Sequence, residues 1–253
     1  MKYEIQKAGI WKRIAAWLFD VILVGILAVG CGVLLSWLLG YDGYSQAVDQ
    51  AYAAYEAQYG ITFEITQAEY EAFSAEQRQN YEAAYSALIA DEVAMKAYNM
   101  MLSLSLVITS LGILLGVLIW EFVMPLWFGN GQTLGKKIFG LCLIRQDGVQ
   151  VNNLQLFARM ILGKYTIEIM IPVCILLMIF WGVMGVSGTM ILLALLAGQA
   201  ICLIVTRNNA ALHDLLAGTV VVDMASQTIF RSTEDLIAYQ KRIAAERAAR
   251  QPY

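Results

Sequence analysis

The sequence predicts an all-α membrane protein with four transmembrane helices, a helical extracytoplasmic insertion and a small cytoplasmic β-hairpin or strand element. Three observations support this fold class. Of the 253 residues, 59% are hydrophobic and only 15% are charged, and the mean hydropathy of +0.61 is too high for an ordinary soluble domain. Four apolar stretches are long enough to cross a hydrocarbon core of about 30 Å. The charged residues outside these stretches are segregated by sign.

Residues 1–40 form a basic leader and the first span. The apolar run from Ile14 to Leu39 is longer than that of a signal peptide and no small-residue cleavage site follows it, so we expect it to be retained. Arg13 stands at its start and Asp20 lies inside it. An ionised carboxylate within a span costs several kcal/mol unless it is paired, so Asp20 requires a partner or a function.

Residues 41–100 form a polar insertion of different composition. The insertion holds ten acidic and two basic residues, for a net charge of −8, and nine of the thirteen tyrosines. Helices are predicted at 45–59 and 67–98, the first ended by Gly60 and the second begun by a capping box at Thr66. We interpret the insertion as a helical hairpin packed through its aromatic side chains. A ligand-binding cap is the alternative.

Three further spans are predicted after the insertion. Residues 101–128 form the second span, which contains Glu121. Residues 165–206 form a hairpin of two spans joined by a very short turn at 186–188. Pro172 is expected to kink the third span, because proline removes a helical hydrogen bond.

Residues 129–164 connect the second and third spans and are rich in lysine and arginine. An Asp-Gly pair at 147–148 between two β-prone runs predicts a small hairpin. Asn153 is predicted to cap an interfacial helix, with apolar residues facing lipid and Arg159 directed to the head groups. The glycine-lysine run at 133–137 lacks the first glycine and the hydroxyl residue of a phosphate-binding loop, so that site is rejected.

Residues 207–253 form a polar tail. A turn containing Leu-His-Asp at 212–214 precedes a β-prone strand at 219–222. A polar helix is predicted from Thr233, since residues 232–235 resemble a capping box.

The membrane orientation follows from the basic residues. Four spans place both termini and the 129–164 loop on one side, and that side holds fifteen of the seventeen lysine and arginine residues. Because positively charged loops stay in the cytoplasm, we expect both termini inside and the acidic insertion outside. The predicted location is the bacterial cytoplasmic (inner) membrane.

Three carboxylates on separate spans are predicted to lie at similar depth, namely Asp20, Glu121 and Glu168. Arg13 lies two turns before Asp20 on nearly the same helix face, so its side chain is expected to extend toward that carboxylate. The functional interpretation is a cation or proton site. The structural alternative is an ion-pair network that fixes helix register, and Glu168 can also pair with Lys164 one turn away.

His213 is the only histidine and is followed by Asp214. A lone His-Asp pair is a poor zinc site, because tetrahedral zinc needs three or four ligands, so we predict no metal and no cofactor. His213 either responds to pH or fixes a turn through hydrogen bonds, and the turn is favoured. No nucleophile elbow, kinase motif or dinucleotide fingerprint is present in the sequence, so we predict neither an enzyme with catalytic residues nor a nucleic-acid partner.

One set of motifs occurs in a fixed order within and between the spans. It comprises Arg13 and Asp20, TLGKKIFGL at 133–141, Asp-Gly at 147–148, Arg159, LHDLLAGT at 212–219 and Val220 to Val222. This set resembles the RDD family of small bacterial membrane proteins, which are named for one arginine and two aspartates.

The resemblance extends over about residues 6–223, interrupted by the 41–100 insertion, which looks foreign to the usual short loop. It implies that Arg13, Asp20 and Asp214 are the name-giving residues and that transport is the usual suggestion for function. One departure is Arg207 followed by two asparagines, where a denser basic run is expected. The ion- or proton-binding candidates are Asp20, Glu121, Arg13 and Asp214, supported by Arg159, Arg207, His213 and Glu168.

Two functions of different classes follow from these observations. The first is a small transporter performing cation/proton exchange, in which Asp20 titrates or binds a monovalent cation and Arg13 tunes it. The second is a non-transporting scaffold or assembly partner that docks another protein through the acidic insertion or the basic tail. The lipid bilayer is a partner in both. Because four spans are few and no inverted repeat is visible, a transporter is expected to be a homo-oligomer.

Overall fold

The computed structural model describes residues 5–206 and 208–250. Within them the chain forms twelve α-helices, two π-helical segments and two strands. They divide into two compact units, which are described separately. One unit comprises the described residues up to Ala28 and from Ile113 onward, and we call it the sheet unit. The other runs from Val29 to Gly112, and we call it the insertion unit.

The elements follow in chain order. The α-helices and strands are α1 (Ile10–Leu38), α2 (Tyr41–Tyr59), α3 (Gln67–Glu71), α4 (Ala75–Ala90), α5 (Glu92–Leu118), α6 (Met124–Phe128), α7 (Leu134–Ile138), β1 (Leu141–Arg145), α8 (Asn153–Ala158), α9 (Ile171–Phe180), α10 (Gly185–Val205), α11 (Leu212–Ala217), β2 (Thr219–Asp223) and α12 (Thr233–Arg250). The π-helical segments are π1 (Ile119–Val123), between α5 and α6, and π2 (Arg159–Met170), between α8 and α9.

Four helical stretches are long and apolar enough to cross a membrane, in agreement with the number of spans predicted from the sequence. Many large apolar side chains of these helices are not covered by other parts of the protein, as expected for surfaces that face lipid tails. The four stretches are Ile10–Leu38, Glu92–Phe128, Asn153–Phe180 and Gly185–Val205.

The ends of these stretches differ from the predicted spans. The second helix begins at Glu92, because helical hydrogen bonding continues through the polar residues that precede its apolar part. The third begins at Asn153, so the predicted interfacial helix is the start of one continuous helix. Its cap is Asn152, whose side chain accepts from the Gln155 amide, instead of Asn153. The turn before α10 lies at 181–184.

Both π-helical segments precede a proline, and the pattern has a common cause. Pro125 follows π1 and Pro172 follows π2. Proline has no N–H for the carbonyl four residues earlier, and its ring displaces that carbonyl from α-helical geometry. The residue four positions earlier is a glutamate in both cases, Glu121 and Glu168. At Pro172, where the sequence predicts a kink, the structure shows a π-helical segment before the proline, a feature common at functional sites.

The strands β1 and β2 form a two-stranded antiparallel sheet in which Cys142 pairs with Val222. The sequence predicted that β1 would form a hairpin with the run after the Asp-Gly turn. That turn is present, because the Gly148 amide donates to the Arg145 carbonyl at 3.0 Å. The run that follows is bridged to β1 where Gln150 lies opposite Ile144 and to Phe230 at Val149, and it forms no strand of its own among the described residues. The main partner of β1 is the strand predicted near 219–222, so the hairpin prediction was wrong about the partner.

Both faces of the sheet are covered, which explains why its strands are almost uniformly apolar. Leu143 and Val221 share the face that packs against Ala16 of α1. Ile144 and Val220 share the opposite face, against which Ile5 and Ile229 pack. The sheet therefore anchors the start of the first long helix.

The insertion unit is held together by aromatic rings. The Phe63 ring lies 5.3 Å from that of Tyr52 and 5.8 Å from that of Tyr81, both edge to face. The Tyr81 ring also contacts Tyr70 at 5.5 Å and Phe73 at 6.0 Å. Such pairs stabilise by about 0.5–1.5 kcal/mol beyond area burial. These contacts support the interpretation of the insertion as a packed helical element.

Local signals set the helix ends of the insertion unit. Gly60 ends α2 with φ of 62°, a left-handed conformation that glycine adopts without strain. The capping box at Thr66 begins α3 as predicted. The single predicted helix at 67–98 is broken, because Ser74 caps α4 and the Asp91 side chain accepts from the amides at the start of α5.

The last helix begins as the sequence predicts. The Asp235 amide donates to the Ser232 hydroxyl at 3.1 Å, and the Ser232 amide donates to the Asp235 carboxylate at 3.2 Å. This reciprocal pair is a capping box for α12.

Candidate functional site

Charged side chains from five elements meet in the sheet unit. Asp20, Glu121 and Arg159 are 3%, 4% and 3% exposed, and Asp214 is fully buried. A buried charge is stable only when it is paired. Each of these side chains therefore depends on its partners more strongly than a surface ion pair does. We call the set the charged cluster. Its members are Arg13 and Asp20 of α1, Glu121 of π1, Lys136 of α7, Arg159, Lys164 and Glu168 of π2, and His213 and Asp214 of α11.

Glu121 is surrounded by three cations. The Lys164 ammonium donates a hydrogen bond to its Oε1. Lys136 Nζ and Arg159 Nη1 lie 3.6 and 3.5 Å from its Oε2. Burial lowers the pKa of Lys136 to about 8, although Glu121 acts in the opposite direction. Loss of one partner here would leave an unpaired buried charge.

Asp214 joins two arginines that are far apart in the sequence. Its Oδ2 accepts from Arg13 Nη2 at 2.6 Å, and its Oδ1 accepts from Arg159 Nε at 3.1 Å. Burial alone would raise the pKa of the Asp214 carboxyl, but His213, Arg159 and Arg13 hold it well below its usual range. Arg159 therefore bridges Asp214 and Glu121.

Asp20 is satisfied by neutral donors instead of a base. Its Oδ1 accepts from Trp120 Nε1 at 2.9 Å and from the Gly135 amide at 2.9 Å. Its Oδ2 accepts from the Thr133 hydroxyl at 2.5 Å. The expected approach of Arg13 to Asp20 is not found, because the Arg13 guanidinium is directed to Asp214.

Thr133 links Asp20 to the rest of the charged cluster. Its hydroxyl donates to Asp20 and accepts from Lys136 Nζ at 3.2 Å. Lys136 in turn approaches Glu121. A continuous path of polar contacts thus runs from Asp20 through Lys136, Glu121 and Arg159 to Asp214 and returns to α1 at Arg13.

Glu168 and His213 form a pair at one side of the cluster. His213 Nδ1 contacts Glu168 Oε1, and Gln199 Nε2 donates to the same oxygen at 2.8 Å. Burial lowers the pKa of His213, helped by Arg159 and opposed by Asp214 and Glu168. The expected pairing of Glu168 with Lys164 is not found, since Lys164 is directed to Glu121.

Two glycines permit the close approach of these elements. A Cβ on Gly135 would lie 2.5 Å from the Ala16 carbonyl oxygen and 2.7 Å from Asp20 Oδ1. A Cβ on Gly163 would overlap the Cβ of His213. Any side chain at either position would separate α1 from α7 or π2 from α11.

A cavity of about 660 Å³ lies against the charged cluster, within the sheet unit. Its volume is within the range of small-molecule sites. The cluster residues that line it are Arg13, Asp20, Lys136, Arg159, Lys164, Glu168 and His213. The rest of its wall is mostly apolar and comes largely from α1, α9 and α10.

The structure places the sequence-predicted candidates in three groups. Arg13, Asp214, Arg159 and Glu121 form one ion-pair network. Among the described residues Asp20 joins it through the Thr133 hydroxyl, while His213 lies in the first turn of α11 and pairs with Glu168. Arg207 lies outside the described residues.

The expected position of Arg159 at the head groups was wrong. Its side chain is 4% exposed and contacts two buried carboxylates, because the interfacial helix predicted around it is the start of a span. Among the described residues, no three His, Cys, Asp or Glu side chains are grouped so as to hold a metal ion.

Four contributing residues were not singled out from the sequence as site residues. Thr133 and Lys136 belong to the TLGK run, which was used as a family motif and rejected as a phosphate-binding loop. Lys164 was named only as a helical partner for Glu168, and Trp120 precedes Glu121 directly. The TLGK motif, and a glutamate four residues before a proline on two spans, are the sequence signals that point to them.

Comparison with known proteins gives one family match and one relative. The model of the family described as "RDD family" matches residues 7–218. The "Uncharacterized protein YckC" of Bacillus subtilis (strain 168) is 31% identical over 112 residues, which are 44% of this chain and 60% of that protein. The match thus covers less than two thirds of the relative's length. No solved structure matches the chain significantly.

Proposed function

The chain belongs to the RDD family of membrane proteins, and we propose that it is a small transporter that couples the movement of a solute to that of protons. The observation that carries the proposal is the Glu168–His213 pair at the wall of the cavity, in which a buried imidazole contacts a half-buried carboxylate. An imidazole beside a carboxylate can exchange a proton near physiological pH. An ionisable pair next to a cavity is a typical position for such a group.

Coupling would arise through the contacts of His213. Its Nε2 lies 3.5 Å from Asp214 Oδ1, and Asp214 also pairs with Arg13 and Arg159. A proton gained by His213 places a third positive charge beside Asp214. The pairing of Arg159 between Asp214 and Glu121 would then shift, which changes the charge presented to the cavity.

Cation/proton exchange is the form of transport that the sequence suggests. Asp20 is a poor site for the exchanged ion, because three donors already occupy its oxygens. Glu168 is the better candidate, since it lines the cavity and its partners are a titratable imidazole and a neutral amide. In this form a monovalent cation and a proton would compete for the Glu168 carboxylate.

The proposal includes an orientation and a location. Fifteen of the seventeen lysine and arginine residues lie outside the 41–100 segment, which contains only Arg78 and Lys96. By the positive-inside rule both termini would lie in the cytoplasm of a bacterium and the acidic insertion outside its inner membrane. The transporter would function as a homo-oligomer.

The test is dissipation of a pH gradient in proteoliposomes on addition of monovalent cations, with wild type beside Glu168→Gln. Glutamine preserves the hydrogen-bonding shape of the site but cannot ionise. We expect the variant to slow proton flux at least tenfold, since positioned acid–base groups contribute about 10²–10⁴-fold to proton transfer. Glu76→Gln, at an exposed acid of α4, is the matched control and should leave the flux unchanged.

The same assay can overturn the proposal. Equal flux in wild type and Glu168→Gln would exclude Glu168 as the coupling group. No flux with any solute, in protein that unfolds cooperatively, would favour the alternative proposal of a scaffold or assembly partner. The exposed acids of the insertion, such as Glu64 and Glu76, are the feature that favours this alternative, because they are free for a basic partner.

A further inference from the structure

We propose that the cavity beside the charged cluster binds an anionic amphiphile, with its acidic head group at Arg13 and its aliphatic chain along α1 and α10. As a binding site the inference stands by itself. As the identity of the transported solute it rests on the proposed proton-coupled transport, and the amphiphile would then take the place of the monovalent cation as the species that moves. Three features of the described residues carry it: an unpartnered donor, the sign of the charge on the wall, and an apolar, open remainder.

The unpartnered donor belongs to Arg13. Its side chain is only 10% exposed, and its Nη2 is used by Asp214. Its Nη1 is buried and has no hydrogen-bond partner among the described residues. A guanidinium has five N–H donors in a fixed plane and suits carboxylate and phosphate oxygens. Because Arg13 lines the cavity, an acidic group there would lie beside a guanidinium whose hydrogen-bonding capacity is not fully used within the described residues.

The sign of the charge follows from which cluster members face the cavity. Two of the carboxylates that neutralise the cluster, Glu121 and Asp214, are not among the residues that line it. Asp20 and Glu168 do line it, against four cations. The four lining cations are Arg13, Lys136, Arg159 and Lys164. The wall thus presents more positive than negative charge, with the balancing acids behind it, and favours an anion over a cation.

The remainder of the wall is apolar. Trp17 and Ile14 of α1 line it, as do Leu196 and Leu203 of α10. Trp17 is 52% exposed and Leu196 is 68% exposed, so this part opens toward the surface that the spans present to lipid. A purely polar anion would leave these side chains without a partner, whereas an aliphatic chain would cover them.

The volume agrees with a single small amphiphile. About 660 Å³ is in the range that encloses one drug-sized ligand, and such sites combine an apolar wall with a few convergent polar groups. Two sources share this chemistry, namely a free fatty acid and an anionic membrane phospholipid. They differ in head group, so a competition experiment separates them.

The experiment measures quenching of Trp17 fluorescence by stearic acid that carries a nitroxide near its chain end, with the purified full chain in detergent micelles. The Trp17→Phe variant gives the signal of the other tryptophans for subtraction. We expect saturable quenching with one molecule bound per chain. The matching nitroxide-labelled stearyl alcohol, which lacks the charge, should bind at least tenfold more weakly, as expected when a charge-assisted hydrogen bond is lost.

Two variants test the place of binding without touching the charged cluster. Ala200 lines the cavity, whereas Ala197 on the same helix is exposed and does not. Ala200→Phe should weaken binding of labelled stearate at least tenfold by filling the cavity. Ala197→Phe, its matched control, should leave binding unchanged. Because both positions lie on the lipid-facing helix α10, neither change is expected to prevent folding.

Competition identifies the source of the head group. Displacement of the label by phosphatidylglycerol, but not by phosphatidylcholine, assigns the site to an anionic phospholipid. Displacement by unlabelled palmitate alone assigns it to a free fatty acid. Either result supports an anionic amphiphile.

Three results would overturn the inference. Equal binding of the acid and the alcohol would show that charge is not recognised. Equal binding of labelled stearate to Ala200→Phe and Ala197→Phe would show that it joins the lipid around the helices and does not occupy the cavity. Quenching lost whenever the chain dimerises would show that a second copy occupies the groove. Because binding in micelles needs no flux, failure of transport and failure of this inference remain distinguishable.

Discussion

The sheet unit and the insertion unit both contain many ionisable side chains, but they use them differently. In the sheet unit, carboxylates such as Asp20 and Asp214 are buried and each accepts several hydrogen bonds. In the insertion unit, acids such as Glu64, Glu76 and Glu82 are exposed, and stability comes from edge-to-face aromatic contacts and helix caps. A high number of charged residues therefore does not by itself indicate a functional site.

Burial is what separates the two cases. An exposed carboxylate is solvated by water, so its loss changes little. A buried carboxylate has exchanged water for fixed donors, and each change at one partner leaves the other unsatisfied. The comparison predicts large effects in the charged cluster and small ones in the insertion unit.

The largest expected effect follows Asp214→Asn. This change leaves Arg13 and Arg159 without their shared carboxylate, and breaking a buried ion pair costs about 3–5 kcal/mol of unfolding free energy. Thermal unfolding in detergent micelles should show a clear decrease in Tm. Glu76→Gln should stay within about 0.5 kcal/mol of wild type. Equal decreases in Tm for the two variants would contradict the claim that carboxylates stabilise the sheet unit more than the insertion unit.

The next effect concerns the close contact between α7 and α1. Gly135→Ala would force a Cβ to within 2.7 Å of Asp20 Oδ1, so we expect a loss of about 1–3 kcal/mol, as for other overpacked sites. Gly25→Ala is the control, because apart from the adjoining residues of its own helix no described atom lies within 4 Å of its added Cβ. In a helix interior that change should stabilise by about 0.5–1 kcal/mol. The opposite signs can be measured by chemical unfolding, and a stabilising Gly135→Ala would contradict the described contact.

Acidification should destabilise the sheet unit through His213. Burial lowers the pKa of His213 in the folded state from its ordinary value of 6.5. Between these two values the unfolded state binds the proton and the folded state does not, so stability falls as pH falls through the window. The slope is at most about 1.4 kcal/mol per pH unit for one group.

His213→Gln sharpens this pH dependence. The variant cannot bind the proton, so its Tm should decline less than that of wild type between pH 7 and 5. Asp214 adds a second loss at lower pH, because its folded pKa is held below the ordinary value of 3.8 and its stabilisation disappears as pH falls. Parallel Tm curves for wild type and His213→Gln above pH 5 would argue against a buried neutral imidazole.

The smallest expected effect belongs to a helix cap of the insertion unit. Ser74→Ala removes the acceptor for the Gln77 amide, which costs about 1 kcal/mol. Ser86→Ala, at an exposed position inside α4, should be neutral or slightly stabilising, since alanine favours helix. Hydrogen exchange of the α4 amides measures both. Faster exchange in Ser86→Ala than in Ser74→Ala would contradict the assigned cap.

Local features were predictable from the sequence. Apolar length identified the four long helices, and short-range patterns identified the caps at Thr66 and Ser232 and the end of α2 at Gly60. These features depend on residues within a few positions of one another, so the chain itself contains the whole signal.

The partners in the charged cluster were not predictable in this way. The helical spacing of α1 predicted that Arg13 would pair with Asp20. In the structure Arg13 pairs with Asp214, 201 positions away. The spacing of one helical turn likewise predicted a pair between Lys164 and Glu168. In the structure Lys164 pairs with Glu121. The partner of β1 was missed for the same reason. Which charged side chains meet depends on how whole helices pack against one another. Helical spacing identifies only partners on the same helix.

The most direct test of the account is a double-mutant cycle between Arg13 and Asp214, with unfolding free energies measured for wild type, Arg13→Gln, Asp214→Asn and the double variant. If the two side chains form one buried pair, the second change adds little once the first is made. We predict a coupling energy of about 2 kcal/mol or more, toward the upper part of the range for residues in contact. Additivity within about 0.5 kcal/mol would mean that the pair does not exist, and the charged cluster would lose its connection to α1 at Arg13.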